Sequence, residues 1–244
     1  MANNGIQLYV LREHESSLPK LIRMVSDAGF TGVEFAFRLS DADQDAVRDV
    51  LNETGTEVAG AHVPIEWLET DFDETMDRYQ RLGCETVVIP SIDDSYFESK
   101  STVANAADRL MQLAKRIDDR GMQFCYHNHA HEFVRLEDQW AFDELVAATD
   151  ESVSFQLDLP AALYAGADPV ALLHRVGDRT QTVHFYDRDI DTKASVSFGD
   201  GDVDLSGCIA AAREVDVEWV LYEGDYEKDT LQGAASTISE LIAD

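Results

Sequence analysis

Four side chains able to ligate a metal ion, His127, Asp158, His184 and Glu223, each stand at or just beyond the end of a short apolar run. Imidazole nitrogens and carboxylate oxygens together suit a divalent ion of the zinc, manganese or cobalt kind, provided they converge on one point. Side chains so far apart in sequence converge when consecutive parallel strands of a closed barrel bring their C-terminal ends to one rim. The expectation is one divalent ion (Mn, Zn, Co or Mg) held by His127, Asp158, His184 and Glu223.

The segment Tyr126-His127-Asn128-His129-Ala130-His131-Glu132-Phe133 is the densest in chemistry, with three of the chain's seven histidines. Alternation along an extended backbone turns His127, His129 and His131 to one side. His127, nearest the strand end, is the expected ligand, with His129 and Glu132 in the substrate pocket or behind it. The plainer alternative is a polar loop with one structural histidine. Each other candidate has a plain reading too. Asp158, followed by Leu159-Pro160, could cap a turn. His184 could be a hydrogen-bonded core residue.

Glu34 lies within the apolar run of the second strand, and a carboxylate facing a barrel core needs a partner. Glu223, Glu34, His129 and Glu132 are the candidates for moving a proton. His62 ends the third strand and is either a substrate contact or structural. Asp187 and Arg188, just past His184, are expected to contact substrate. The run Phe198-Gly199-Asp200-Gly201-Asp202-Val203-Asp204 resembles a calcium loop, but Ala211 stands where that loop needs its bidentate glutamate. A flexible loop leading into a helix capped by Asp204 fits better.

The elements that must position these groups repeat as amphipathic helix, glycine-marked turn and apolar strand, as in Asp27-Ala28-Gly29-Phe30-Thr31-Gly32-Val33-Glu34. Glycine after a helix takes the left-handed C-terminal position from which the next strand starts. Strands are expected over 6–10, 32–37, 57–61, 86–89, 122–126, 153–157, 180–183 and 218–222. Helices are expected near 16–28, 41–54, 70–82, 100–119, 138–149, 168–176, 204–214 and 229–243. Eight such units without a Pro/Ser-rich linker predict an α/β fold, a (β/α)8 TIM barrel forming one domain over 1–244. The length of 244 residues is close to the ~250 typical of that fold. A dinucleotide-binding fold is disfavoured, because no Gly-x-Gly-x-x-Gly follows the first strand.

Composition narrows the partners. Asp and Glu number 48 against 19 Lys and Arg, a net charge of −29, spread along every expected helix. Such a surface looks adapted to high salt, where screening relieves self-repulsion. It also argues against nucleic acid, which needs a basic patch. The start Met1-Ala2-Asn3-Asn4-Gly5 shows no leader pattern. No apolar run approaches the ~18 residues of a membrane helix. Three scattered cysteines, Cys84, Cys125 and Cys208, suggest reduced core thiols in the cytoplasm. The expected partner is a small carbohydrate, with no nucleic acid and no membrane; homo-oligomerisation is left open.

At these residues the chain resembles the xylose-isomerase-like TIM barrels, the sugar phosphate isomerases and epimerases. The resemblance rests on Tyr126-His127-Asn128-His129 with Glu132-Phe133, on Ala165-Gly166-Ala167-Asp168-Pro169-Val170, and on Gly199-Asp200-Gly201 ahead of Asp204-Leu205. It implies a divalent metal held by an acid after strand five, Asp158, His184 and Glu223. Three features depart from the pattern. His127 replaces the usual glutamate, Tyr186 replaces the lysine of His-x-Lys-Asp, and Leu159-Pro160-Ala161-Ala162 lacks a tryptophan that some relatives carry. The superfamily includes isomerases, epimerases, dehydratases and other lyases.

Two reaction outcomes follow from proton removal beside a carbonyl through an enediolate. The leading expectation is a metal-dependent sugar or sugar phosphate isomerase/epimerase. The alternative is a dehydratase acting on a keto-sugar, inosose or 3-keto-glycoside, and the histidine at position 127 favours it. AP endonucleases share the barrel, but the charge and the single ligand set legible in sequence argue against phosphodiester cleavage. A non-catalytic sugar-binding barrel is the third class.

Overall fold

In a computed structural model that describes residues 2–226 and 230–244, eight parallel strands close into a barrel with helices outside it. The strands are β1 (Asn3–Gln7), β2 (Gly32–Phe35), β3 (Glu57–His62), β4 (Thr86–Ile89), β5 (Gln123–His127), β6 (Ser154–Asp158), β7 (Thr180–Phe185) and β8 (Trp219–Tyr222). They neighbour one another in chain order, and β8 pairs with β1 to close the ring. This is the expected (β/α)8 barrel. Among the described residues no helix is long and apolar enough to cross a membrane.

Alternation fixes which side chains face the barrel axis. Trp219 and Leu221 pack with Ala59 in a cluster separate from the main core. A Cβ on Gly5 would come within 2.6 Å of Leu221, and one on Gly32 would overlap the Trp219 indole. These two glycines therefore make room for Trp219 and Leu221 inside the lower barrel. Two residues beyond Leu221, at the same side-chain phase, stands Glu223. Register sets the other inward residues level with one another: Gln7 pairs with Glu34, His127 with Gln156, and Asp158 with His184.

Most helices match their expected positions within a few residues, including Gln44–Thr54, Lys100–Asp118 and Leu205–Glu214, the last capped as expected by Asp204. The first strand does not. It runs over Asn3–Gln7 rather than 6–10, and Leu8–Leu11 form a 3-10 turn. The Gln7 side chain explains the break, because its Oε1 accepts the Tyr9 N–H at 2.9 Å and ends the extended run. Leu8, Val10 and Leu11 remain buried, so their apolar character suits a turn as well as a strand. The single helix expected near 70–82 is two, Ile65–Thr70 and Phe72–Gln80. A short helix, Leu159–Tyr164, directly follows β6. The last helix spans Leu231–Ala243; Asp229, where it was expected to begin, lies outside the described residues. Cys84, Cys125 and Cys208 are buried and unpaired, and burial pushes the Cys84 thiol up to about 12.

Candidate active site

The site is assembled around Glu34. Its carboxylate is fully buried inside the barrel, where a bare charge would be costly. Gln7 Nε2 donates to Oε2 at 3.0 Å, Gln156 Nε2 donates to Oε1 at 2.5 Å, and His184 Nε2 meets Oε2 at 2.8 Å. Gly60, level with Glu34 on β3, leaves space for this carboxylate, since a Cβ there would stand 3.4 Å from Oε1. Burial would raise the Glu34 pKa; His62, His184 and the hydrogen bonds outweigh it and hold the group below its ordinary value.

His184 spans the site. Its Nε2 faces Glu34 and its Nδ1 meets Glu223 Oε2 at 2.6 Å. Burial would depress this imidazole, but the two carboxylates lift its pKa well above the ordinary value. His62 is braced as well, with Nε2 2.7 Å from Gln156 Oε1 and Nδ1 3.2 Å from Gln7 Nε2. An amide nitrogen can only donate, so His62 Nδ1 accepts and its Nε2–H donates to Gln156. Both ring nitrogens are then spoken for.

His127 differs. It is buried, and its Nδ1 has no hydrogen-bond partner among the described residues. Burial, together with the rings of His184, His62 and His129, holds its pKa well below the ordinary value, so the ring is neutral and keeps a lone pair. Donor atoms of His127, Asp158 and Glu223 lie within 4.8 Å of one another. His62, His127 and His184 form a similar triad, but it lacks a carboxylate, and Gln156 and Gln7 already take both nitrogens of His62. The set with Asp158 and Glu223 therefore fits a divalent ion better. His184 Nδ1, beside Glu223, stands next to this set as a fourth donor. A buried imidazole with one nitrogen unpartnered among the described residues and a donor atom within 4.8 Å of two carboxylates is the observation that fits a metal here.

Asp158 does two jobs at once. Its Oδ1 accepts the Ala161 N–H at 2.8 Å, capping the helix Leu159–Tyr164, and the Tyr186 hydroxyl also hydrogen-bonds the carboxylate, whose remaining lone pairs can serve an ion. Burial, reinforced by the Glu223 charge, raises its pKa to about 7. Asn128 holds this strand end in place, its Oδ1 accepting the Asp158 N–H at 3.1 Å.

A cavity of about 960 Å³ opens above the set and is bordered by Asp158, Glu223, His129, Tyr186 and Arg188. His129 borders it, and desolvation of its ring brings its pKa down to about 4, so it is a neutral base near pH 7. Arg188 lies over the rings of Tyr164 and Tyr186, at 5.4 and 5.7 Å, with a buried Nε that has no hydrogen-bond partner among the described residues.

Four residues expected to contact substrate or move a proton sit elsewhere than at the cavity wall, one of them His62, which Gln156 and Gln7 brace. Glu34 lies below it, behind His184. Glu132 is fully buried, accepting the Tyr126 O–H at 2.7 Å and the His129 N–H at 2.9 Å, so it shapes the loop that presents His129. Asp187 is also buried and corrects the expected substrate contact. Its carboxylate accepts the backbone N–H groups of Arg188, Gly199, Gly201 and Val203 at 2.9, 2.8, 3.0 and 3.3 Å. It thereby ties down the loop behind Arg188. Sequence reasoning missed Gln7 and Gln156, because glutamine in a strand carries no chemical signature. An inward-facing glutamine level with a histidine or a glutamate is the signal that could have found them.

This barrel and rim define a member of the family described as xylose isomerase-like TIM barrel, whose pattern matches residues 22–242; the chain belongs to that family. Among curated proteins it is similar to an inosose dehydratase of Clostridium beijerinckii, 24% identical, covering 87% of this chain and 84% of that one. It is also similar to an inosose dehydratase of Geobacillus kaustophilus, 26% identical, covering 85% and 80% respectively. Among solved structures, a sugar phosphate isomerase/epimerase from Parabacteroides distasonis superposes with a TM-score of 0.80 at 20% identity, covering 100% of this chain and 95% of that one. That last likeness concerns the fold.

Proposed function

We propose that this chain is a metal-dependent lyase that removes water from a polyhydroxylated ketone, with an inosose as the first substrate to test. The observation that carries the reading is the buried His127 ring, with Nδ1 unpartnered among the described residues and a donor atom within 4.8 Å of Asp158 and Glu223, which line a cavity that His129 borders as a neutral imidazole. The curated relatives favour dehydration over isomerisation, which reverses the order expected from the sequence.

His127, Asp158, His184 and Glu223 would hold the ion. When bound, a divalent ion supplies a Lewis acid that polarises a carbonyl oxygen and acidifies the neighbouring C–H. His129 removes that proton, since its lone pair is free at neutral pH and it borders the cavity. The hydroxyl on the next carbon then departs as water, taking the proton back from His129, and the former C–H electron pair becomes the new C=C bond. Arg188, with its unpartnered Nε, contacts a substrate oxygen. Tyr164 and Tyr186 orient that guanidinium. Glu34 fixes the tautomer and angle of His184 and does not touch substrate.

Isomerisation or epimerisation is the second reading. His129 and Glu223 both border the cavity, giving two groups that could remove and return a proton at different positions. The deciding experiment incubates metal-loaded protein with an inosose, a ketose and a 3-keto-glycoside. An unsaturated ketone absorbing in the ultraviolet supports the lyase. An isomer or epimer without loss of water supports the second reading, and no product from any of them overturns both.

A further inference from the structure

A second group of donors lies in the wall of the same cavity. His131 Nε2 stands 3.4 Å from Glu132 Oε1 and 3.6 Å from Asp94 Oδ1. A donor atom of His129 joins His131 and Glu132 within 4.8 Å. His131 Nε2 is buried, yet it has no hydrogen-bond partner among the described residues. These separations exceed the usual reach of a ring N–H bond. They match a different geometry: two donors each ~2.0–2.1 Å from one tetrahedral zinc stand about 3.4 Å apart.

The geometry points to a second divalent-cation site on His129, His131 and Glu132, separate from the Asp158 set. Two imidazoles and a carboxylate suit an ion of the zinc class. Glu132 can serve although Tyr126 and His129 already donate to it, because a carboxylate offers about four lone-pair positions. The edge of Phe97, 5.5 Å from the His131 ring, holds that imidazole in place. Asp94, whose side chain is largely exposed, can swing inward as the fourth donor.

Occupancy has a chemical consequence. An ion here takes up a lone pair of His129, and a metal-bound imidazole cannot accept a substrate proton. Excess zinc would therefore inhibit a chain that one ion activates. This consequence rests on the role given to His129 above; the existence of the site does not.

Equilibrium dialysis of the intact protein against zinc, followed by elemental analysis, tests the site without turnover. The expected result is two ions per chain for the parent protein. His131→Gln should hold one and His127→Ala should hold one, with the double variant holding none. The exposed Asp94→Asn should keep both ions but bind the weaker one several-fold less tightly. Saturation of the parent at one ion, unchanged by His131→Gln, would overturn the second site and leave the Asp158 set standing. So would a second ion that survives both His131→Gln and Glu132→Gln. Loss on His131→Gln with none on His127→Ala would support this site and count against the Asp158 set. Cobalt replacing zinc gives a second readout, since tetrahedral sites absorb strongly in the visible, and His131→Gln should remove one of two spectral components.

Discussion

Glu34 and His184, 150 residues apart in sequence, meet at 2.8 Å inside the barrel, and Gln7 and Gln156 brace the carboxylate from either side. The contact turns the other face of the imidazole towards Glu223. A carboxylate behind a ligating histidine fixes the ring's orientation and raises its basicity. Glu34 thus couples the first, second and sixth strands to the ligand expected from the seventh.

Replacing Glu34 by Gln keeps the volume but removes the charge and places an amide N–H₂ against other N–H₂ donors. We expect ion affinity to fall ~10–100-fold while the barrel stays folded. Competition with a fluorescent chelator measures the affinity, and circular dichroism checks the fold. Unchanged affinity would mean that His184 does not ligate the ion.

Protons compete with the ion. In the metal-free chain, Asp158 has a pKa raised to about 7, and His184 holds its proton well above the ordinary histidine range. Below pH about 7 both must release a proton for the ion to enter; above it only His184 must. The apparent log affinity should therefore rise ~2 per pH unit below neutrality and ~1 per unit just above. Titrations across pH 5.5–8.5 in buffers of different ionisation enthalpy count the protons. A slope that stays flat throughout would contradict this assignment.

The strand-end donors were legible because each follows an apolar run, and the parallel barrel translates strand end into common rim. The brace behind them was not. Gln7 lies in a run whose apolar part belongs to a turn, so the strand was expected three residues late. Asp187 was misread because three of its four partners are backbone N–H groups 12 to 16 residues further on, which no spacing rule exposes. Asp94 reaches the His131 cluster from the 3-10 turn Asp94–Phe97 after β4. Such contacts come from how loops stack on the rim rather than from strand order.

Asp187 holds the loop that supports Arg188. Asp187→Ala would leave four backbone N–H groups without their acceptor, a loss on the order of 3 kcal/mol. Proteolysis should then begin within 189–203, and KM should rise more than kcat falls. Gly201→Ala should act similarly, because a Cβ there would come within 2.6 Å of the Arg188 carbonyl oxygen. Urea denaturation and limited digestion check both; full stability in Asp187→Ala would refute the tether.

With 48 acidic and 19 basic side chains, the folded surface repels itself. Screening weakens that repulsion, so the melting midpoint should climb between dilute buffer and molar KCl. The exposed pairs Arg120–Asp73 and Arg48–Asp45 should lose strength over the same range, but such pairs contribute little each. A midpoint that is flat or falling with KCl would show that like-charge repulsion does not limit stability.

The two histidines that flank the strand-five rim separate holding the ion from using it. His127 is buried, with a donor atom within 4.8 Å of Asp158 and Glu223, whereas His129 borders the cavity. Their rings lie 4.8 Å apart, edge to face, so a general collapse of the site would affect both variants alike. His127→Ala should lose the ion of the Asp158 set and all activity with it. His129→Ala should retain that ion, because none of the other three ligands changes, yet turn over ~10²–10⁴-fold more slowly for lack of a positioned base. Were His129 only a loop support, its loss would lower the melting temperature and leave turnover normal. Metal content, melting temperature and turnover measured together on both variants discriminate these cases, and loss of the Asp158-set ion confined to His129→Ala would exchange the two roles.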